Sequence, residues 1–151
     1  LVPVTPLTNP KLMFVAIGAT LLFAIAAWLG LFRRWGRDRE ATGRDRFLSA
    51  LVLWGAAPIV WMIVVLAGMP GPSDMGFVEV FNEWPIPEMK QLGLAATLAS
   101  VVALLVGLGL IPAWKGSGWP LKRKLNYTLF ALAYLSAAGM FINWGLAPYL
   151  P

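Results

Sequence analysis

Cysteine and histidine are both missing from the sequence. Without cysteine, the chain can form no disulfide, no thiolate zinc site and no thiol nucleophile. Without histidine, it also lacks the commonest metal and haem ligand and the commonest general base. Enzymatic motifs are missing as well, because no serine precedes a lysine by three positions and neither a G-x-S-x-G element nor a P-loop occurs. We therefore expect no catalytic residue, no metal and no cofactor in this chain, and no enzyme activity of its own.

Charge is also scarce. Charged residues make up 13% of the chain and hydrophobic residues 59%, whereas soluble domains carry about 25% charged residues. Four uncharged runs, each long enough to cross a bilayer, account for most of the apolar residues. The sequence therefore predicts an all-α membrane protein, with residues 1–151 forming one transmembrane domain. Its four helices are expected at about 12–32, 47–69, 92–113 and 125–146, with a kink at Pro58.

The basic residues predict an orientation. Ten of the twelve lysines and arginines lie in the segments 33–46 and 115–124, whereas the segment 70–91 carries four acidic residues and one lysine. The positive-inside rule places the two basic segments in the cytoplasm, so both termini face outward. Because these residues flank membrane spans, we expect membrane lipids as partners and no nucleic acid. The expected anionic-lipid contacts are Arg33, Arg34, Arg37, Arg39, Lys122, Arg123 and Lys124.

The outward segment 76–91 alternates apolar with acidic residues, which favours a short interfacial helix that is broken by Pro85 and Pro87. Glu79 and Glu83 lie four residues apart and would share one face of that helix. The pair could act in acid–base or metal chemistry, or it could simply be the solvated face of the helix. We favour the solvated face, because no neighbouring residue completes a metal site.

Small residues recur at four-residue spacing in the third span. Such a stripe lets another helix approach closely, as membrane helices do when they associate. The sequence predicts helix packing there, against another helix of this bundle or against a partner protein or complex. The residues are Ala95, Ala99, Ala103 and Gly107.

The stretch WPLKRKLNYTLFALAYLSAAGMFINWG, residues 119–145, contains a basic residue followed by Leu, a polar residue and then Tyr127-Thr128-Leu129. It resembles the last membrane helix of bacterial serine β-lactamase-like (penicillin-binding-protein-like) hydrolases, which carry a C-terminal region of several membrane helices. Asn126 stands where the family commonly has histidine, and Asn143-Trp144 matches only loosely. The resemblance implies an exported catalytic domain before Leu1, which is not a methionine. It also implies a bacterial inner membrane, with the outward-facing termini in the periplasm. The catalytic elements of the family have no counterpart in this chain.

Three functions are compatible with these features. The first is a non-catalytic membrane-anchoring and interaction domain, the C-terminal part of such a hydrolase. The second is an accessory subunit of a larger respiratory or photosynthetic membrane complex. The third is a lipid or quinone carrier that uses the kink at Pro58 and the face of Glu79 and Glu83. It is least favoured because no polar group is placed at depth to select a headgroup.

Overall fold

The computed structural model describes residues 10–33, 43–69 and 87–148. Within these ranges every regular element is a helix, and four stretches are long and apolar enough to cross a membrane. The helices are α1 (Pro10–Phe32), α2 (Gly43–Gly55), α3 (Ala57–Gly68), α4 (Pro87–Leu108), α5 (Leu110–Lys115) and α6 (Leu121–Asn143). Helices α2 and α3 together form the second span, and α4 and α5 the third. The prediction of an all-α membrane protein with four transmembrane helices is confirmed.

The helices extend beyond the uncharged runs that predicted them. The second span begins at Gly43 and the third runs from Pro87 to Lys115, so both take in charged residues that the sequence-based bounds left out. Backbone hydrogen bonding does not stop where the hydrocarbon ends, and long charged side chains at a helix end can reach the headgroup region. The expected interfacial helix and the pair Glu79 and Glu83 lie outside the described residues, although Pro87 begins α4.

The fourth span ends three residues before the predicted position, at Asn143. Gly145 has a left-handed backbone with φ of 71°. Its N–H donates to the Ile142 carbonyl at 3.1 Å, and the Leu146 N–H donates to the Phe141 carbonyl at 2.9 Å. This pair of bonds is a Schellman motif, which stops the helix and satisfies its last carbonyls.

Two spans are interrupted two or three residues ahead of a proline. The breaks fall at Ala56 and Gly109, before Pro58 and Pro112 respectively. Each proline lacks the N–H that would pair with the carbonyl four residues earlier, so the helical ladder is incomplete there. Ala56 itself keeps a helical backbone, with φ of −80° and ψ of −15°, so the kink expected at Pro58 stays a prediction. The equivalent break before Pro112 was not predicted.

Helix α6 forms the centre of the bundle. It packs against α1, α4 and α5, while α4 also packs against α2 and α3. Four aromatic side chains of α6 are buried: Tyr127, Phe130, Tyr134 and Phe141. Large aliphatic residues on the outer faces of α1, α3 and α4 are exposed, which is the arrangement expected of surfaces in contact with lipid.

Candidate functional site

The end of the bundle where α1 and α5 finish and α2 and α6 begin is called the basic end here. The start of α2 lies beside the connection between α5 and α6, because the Arg44 guanidinium lies next to Gly116. Asp45 is the acidic residue among the described residues at this end. The basic residues there are Arg33, Arg44, Arg46, Lys115, Lys122, Arg123 and Lys124.

The structure describes four of the seven predicted lipid contacts. Arg33 and Lys122 are exposed, whereas Arg123 and Lys124 are half-buried. The Lys124 ammonium lies 6.0 Å from the centre of the Trp114 ring. The other three, Arg34, Arg37 and Arg39, lie outside the described residues.

Arg123 is held in place from two sides. Its guanidinium carbon lies 3.7 Å from the centre of the Trp119 ring, a cation–π contact. Its Nη2 donates a hydrogen bond of 2.8 Å to the Ser49 hydroxyl, and that hydroxyl donates to the Asp45 backbone carbonyl at 2.7 Å. The charge at the start of α6 is thereby fixed against α2, 74 positions earlier in the chain.

Trp119 contacts a buried aromatic residue of α6 as well as Arg123. Its ring meets Tyr127 edge-on, with 5.8 Å between ring centres. Trp119 is only 7% exposed, and its buried indole Nε1 has no hydrogen-bond partner among the described residues. Buried donors are rarely left in this state in folded proteins, so this one is of functional interest.

A cavity of about 170 Å³ opens beside these residues, between α1, α2 and α6. We call it the basic pocket. It has two cationic side chains, an amide and hydroxyl groups, and no carboxylate is found among the described residues that line it. Its lining consists of Ala26, Ala27, Gly30, Ser49, Val52, Trp119, Lys122, Arg123, Asn126 and Tyr127.

The first turn of α6 adds positive charge to the pocket. Pro120 is the N-cap and supplies no side-chain cap, and the turn holds no acidic residue. A helix N-terminus carries a partial positive charge and exposes unpaired N–H groups, so acidic residues usually stabilise it. Here three consecutive basic residues, 122–124, occupy that position instead. A bound anion would stabilise this arrangement.

Several hydrogen bonds between spans involve α6, and a further one, from Trp28 Nε1 to the Val52 carbonyl at 3.1 Å, joins α1 to α2. The Tyr127 hydroxyl donates to the Val106 carbonyl at 2.9 Å and the Tyr134 hydroxyl to the Gly55 carbonyl at 2.6 Å. The Thr128 hydroxyl accepts a 3.0 Å bond from Trp114 Nε1. Together with Arg123, these side chains tie α6 to α2, α4 and α5.

The small-residue stripe lies inside the bundle. Ala95, Ala99 and Ala103 are fully buried. Gly107 faces α6, because a Cβ atom placed there would lie 3.2 Å from Leu135 Cδ1. The stripe thus belongs to the interior of this chain, and it does not form an exposed surface for a partner helix.

No protein-family model, curated protein or solved structure matches the chain. The resemblance to serine β-lactamase-like hydrolases thus stays a prediction. Within the described ranges no three potential metal-ligating side chains come together.

Sequence reasoning missed the basic pocket and the roles of Trp119, Asn126 and Ser49. One local signal was present, since Trp119 and Arg123 are four residues apart at a helix start and can therefore stack. Ser49 and Asn126 carried no comparable signal, because their neighbours come from other spans. Asn126 Nδ2 lies 3.4 Å from the Phe23 carbonyl of α1, 103 positions away.

Proposed function

We propose that this chain is a non-catalytic membrane-anchoring and interaction domain. The observation that carries the proposal is that polar side chains within the spans form hydrogen bonds inside the chain. Nearly every one that the structure describes is bonded to the chain's own backbone, and the core between the helices is filled by apolar side chains. Within the described residues the spans form no polar path for a solute, and their interior is packed with apolar side chains.

The hydroxyl groups illustrate this use. Each returns a hydrogen bond to the carbonyl one turn earlier in its own helix, which removes its polarity from the membrane interior. The residues are Thr20, Ser49, Thr97, Ser100, Thr128 and Ser136. The two buried tyrosines bond across to other spans instead, so they strengthen the bundle.

We further propose that the domain is the C-terminal part of an exported serine β-lactamase-like hydrolase. The support is the resemblance of residues 119–145, together with the outward N-terminus that the charge distribution predicts. The residues of that stretch have a physical reason to occur together. Arg123 binds Ser49, Tyr127 binds the Val106 carbonyl and Thr128 binds Trp114, so the stretch joins the last helix to the rest of the anchor.

A fusion experiment tests the anchor. Alkaline phosphatase, which becomes active only after export, is joined with its signal sequence ahead of Leu1. We expect active enzyme that stays in the membrane fraction after alkaline carbonate washing. In the matched control the phosphatase, without its signal sequence, is inserted at Gly118, in the predicted cytoplasmic connection, and should be inactive. Activity at Gly118 together with inactivity at Leu1 would reverse the proposed orientation.

The attached hydrolase has a separate test. The gene sequence upstream of the Leu1 codon should encode a domain with a Ser-x-x-Lys element. A start codon directly before Leu1 would refute the hydrolase while leaving the anchor untouched. In that case purification in mild detergent, followed by measurement of the intact mass, would show whether the chain is a subunit of a larger complex.

A further inference from the structure

The basic pocket has the features of a binding site for an anion, and nothing in the proposed anchoring role requires it. It combines a cavity between three helices, cationic side chains and the N-terminus of a 23-residue helix. Backbone N–H groups at a helix N-terminus and flanking basic side chains together are the usual elements of a phosphate site.

Arg123 is already arranged for a ligand. Its stacking on Trp119 and its bond to Ser49 fix the plane of the guanidinium before any anion arrives. A guanidinium held in one orientation loses little freedom on binding, and its planar set of donors matches the oxygens of a phosphate. Trp119 lines the same pocket, and its buried Nε1 is a donor that no acceptor among the described residues satisfies.

The position of the pocket indicates the source of the phosphate. One wall is formed by three small residues of α1, namely Ala26, Ala27 and Gly30. Next to them on α1, Leu22, Ile25 and Leu29 are exposed on the outer surface of the span. A phosphate in the pocket would therefore sit at the level of the headgroups, while attached acyl chains could run along the apolar face of α1.

We propose that the basic pocket binds the phosphodiester headgroup of an anionic phospholipid from the leaflet at the basic end. Lys122 and Arg123 supply the charge and Asn126 lies on the wall. The nearest acidic group along α2, Asp45, is not part of the lining. The site is more specific than the general attraction between basic loops and anionic lipid, because it needs the cavity as well as the charge.

The test uses the full chain in detergent micelles, titrated with phosphatidylglycerol and followed by native mass spectrometry. Removing one surface charge should weaken binding about fivefold. Lys115→Gln is the matched control, since Lys115 lies at the same end but outside the pocket lining. Arg123→Gln should weaken binding on the order of 30-fold, because the phosphate loses its fixed guanidinium as well as a charge.

A second variant leaves the charge unchanged. Ala27→Leu fills the cavity from the α1 side and should also weaken lipid binding, whereas Ala67→Leu on the exposed surface of α3 should not. Circular dichroism of each variant shows whether the bundle is still folded, and Ala27→Leu provides the test if Arg123→Gln does not fold.

Two results would overturn the proposal. One is an equal loss of phosphatidylglycerol in Arg123→Gln and Lys115→Gln together with normal binding by Ala27→Leu, which would reduce the effect to general surface attraction. The other is displacement of the lipid by inorganic phosphate at similar concentration, which would make free phosphate the ligand. Neither result bears on the membrane-anchoring role, which the phosphatase fusions test separately.

Discussion

The contact between Gly109 and Tyr127 gives the sharpest test of how the bundle is held together. Gly109 lies at the break between α4 and α5, and a Cβ atom placed there would overlap the Tyr127 hydroxyl. It would also lie 3.0 Å from Leu48 Cδ2. Tyr127 is only 2% exposed and cannot easily swing aside. Gly109→Ala should therefore force the hydroxyl away from the Val106 carbonyl.

The size of the effect follows from two contributions. Overpacking of a filled core costs about 1–3 kcal/mol. A hydrogen bond between membrane helices contributes about 0.6 kcal/mol on average and about 1.7 kcal/mol at most. We expect Gly109→Ala to lower the free energy of unfolding by about 2–4 kcal/mol and Tyr127→Phe, which loses only the hydrogen bond, by about 1 kcal/mol.

The double variant Gly109→Ala, Tyr127→Phe tests whether the two residues interact directly. Tyr127→Phe removes the atom that the new methyl group would meet, so Gly109→Ala should cost less in that background. The two costs should fall short of additivity by about 1–2 kcal/mol. Reversible unfolding in mixed micelles with increasing sodium dodecyl sulfate, followed by circular dichroism, measures each value.

The control is Gly139→Ala in α6, where a Cβ atom would meet nothing within 4 Å. It should be neutral, or stabilising by up to about 1 kcal/mol, because alanine favours a helix more than glycine does. Costs for Gly109→Ala and Tyr127→Phe that add within about 0.5 kcal/mol would refute the proposed contact.

Three further changes test other parts of the bundle. Tyr134→Phe should lower the free energy of unfolding by about 1 kcal/mol in the same assay, because it removes the bond to the Gly55 carbonyl beside the break in the second span. Ala99→Leu should cost about 1–3 kcal/mol by overpacking a fully buried position, while Leu98→Ala, at a lipid-facing position, should change stability far less. Equal effects would contradict the rotation of α4 that places Ala99 in the interior and Leu98 on the outer surface. Replacing four arginines of the first basic segment with glutamate should reduce the preference for a cytoplasmic location of that segment. An unchanged cysteine-labelling pattern would argue against the positive-inside assignment. The four residues are Arg33, Arg34, Arg37 and Arg39.

The number of spans and the class of fold were readable from the sequence. An uncharged run of about 20 residues has one stable form in a bilayer, because backbone polar groups without water must bond within a helix. The ends of the helices were less readable. The Schellman motif at Gly145 depends on backbone geometry, and the breaks at Ala56 and Gly109 lie two and three residues ahead of their prolines.

Periodicity also carried information about packing. The four-residue spacing of Ala95, Ala99 and Ala103 identified a close-packing face, yet left open whether a partner or this chain covers it. Only the rotation of α4 within the bundle places the three alanines in the interior. Nothing in the spacing could decide this, since both arrangements use the same face.

The sequence by itself thus determined the four apolar helices and their basic ends, because the composition and length of each run are enough to specify them. It also showed that cysteine and histidine, the residue types on which much catalytic and metal chemistry depends, are missing. The tertiary structure decided how α6 is tied to its neighbours and where a cavity is left. Ser49 and Arg123 meet across 74 positions, and Tyr134 reaches Gly55 across 79. Such pairs depend on the relative rotation and depth of whole helices, which no local pattern specifies. The basic pocket arises from the same long-range arrangement.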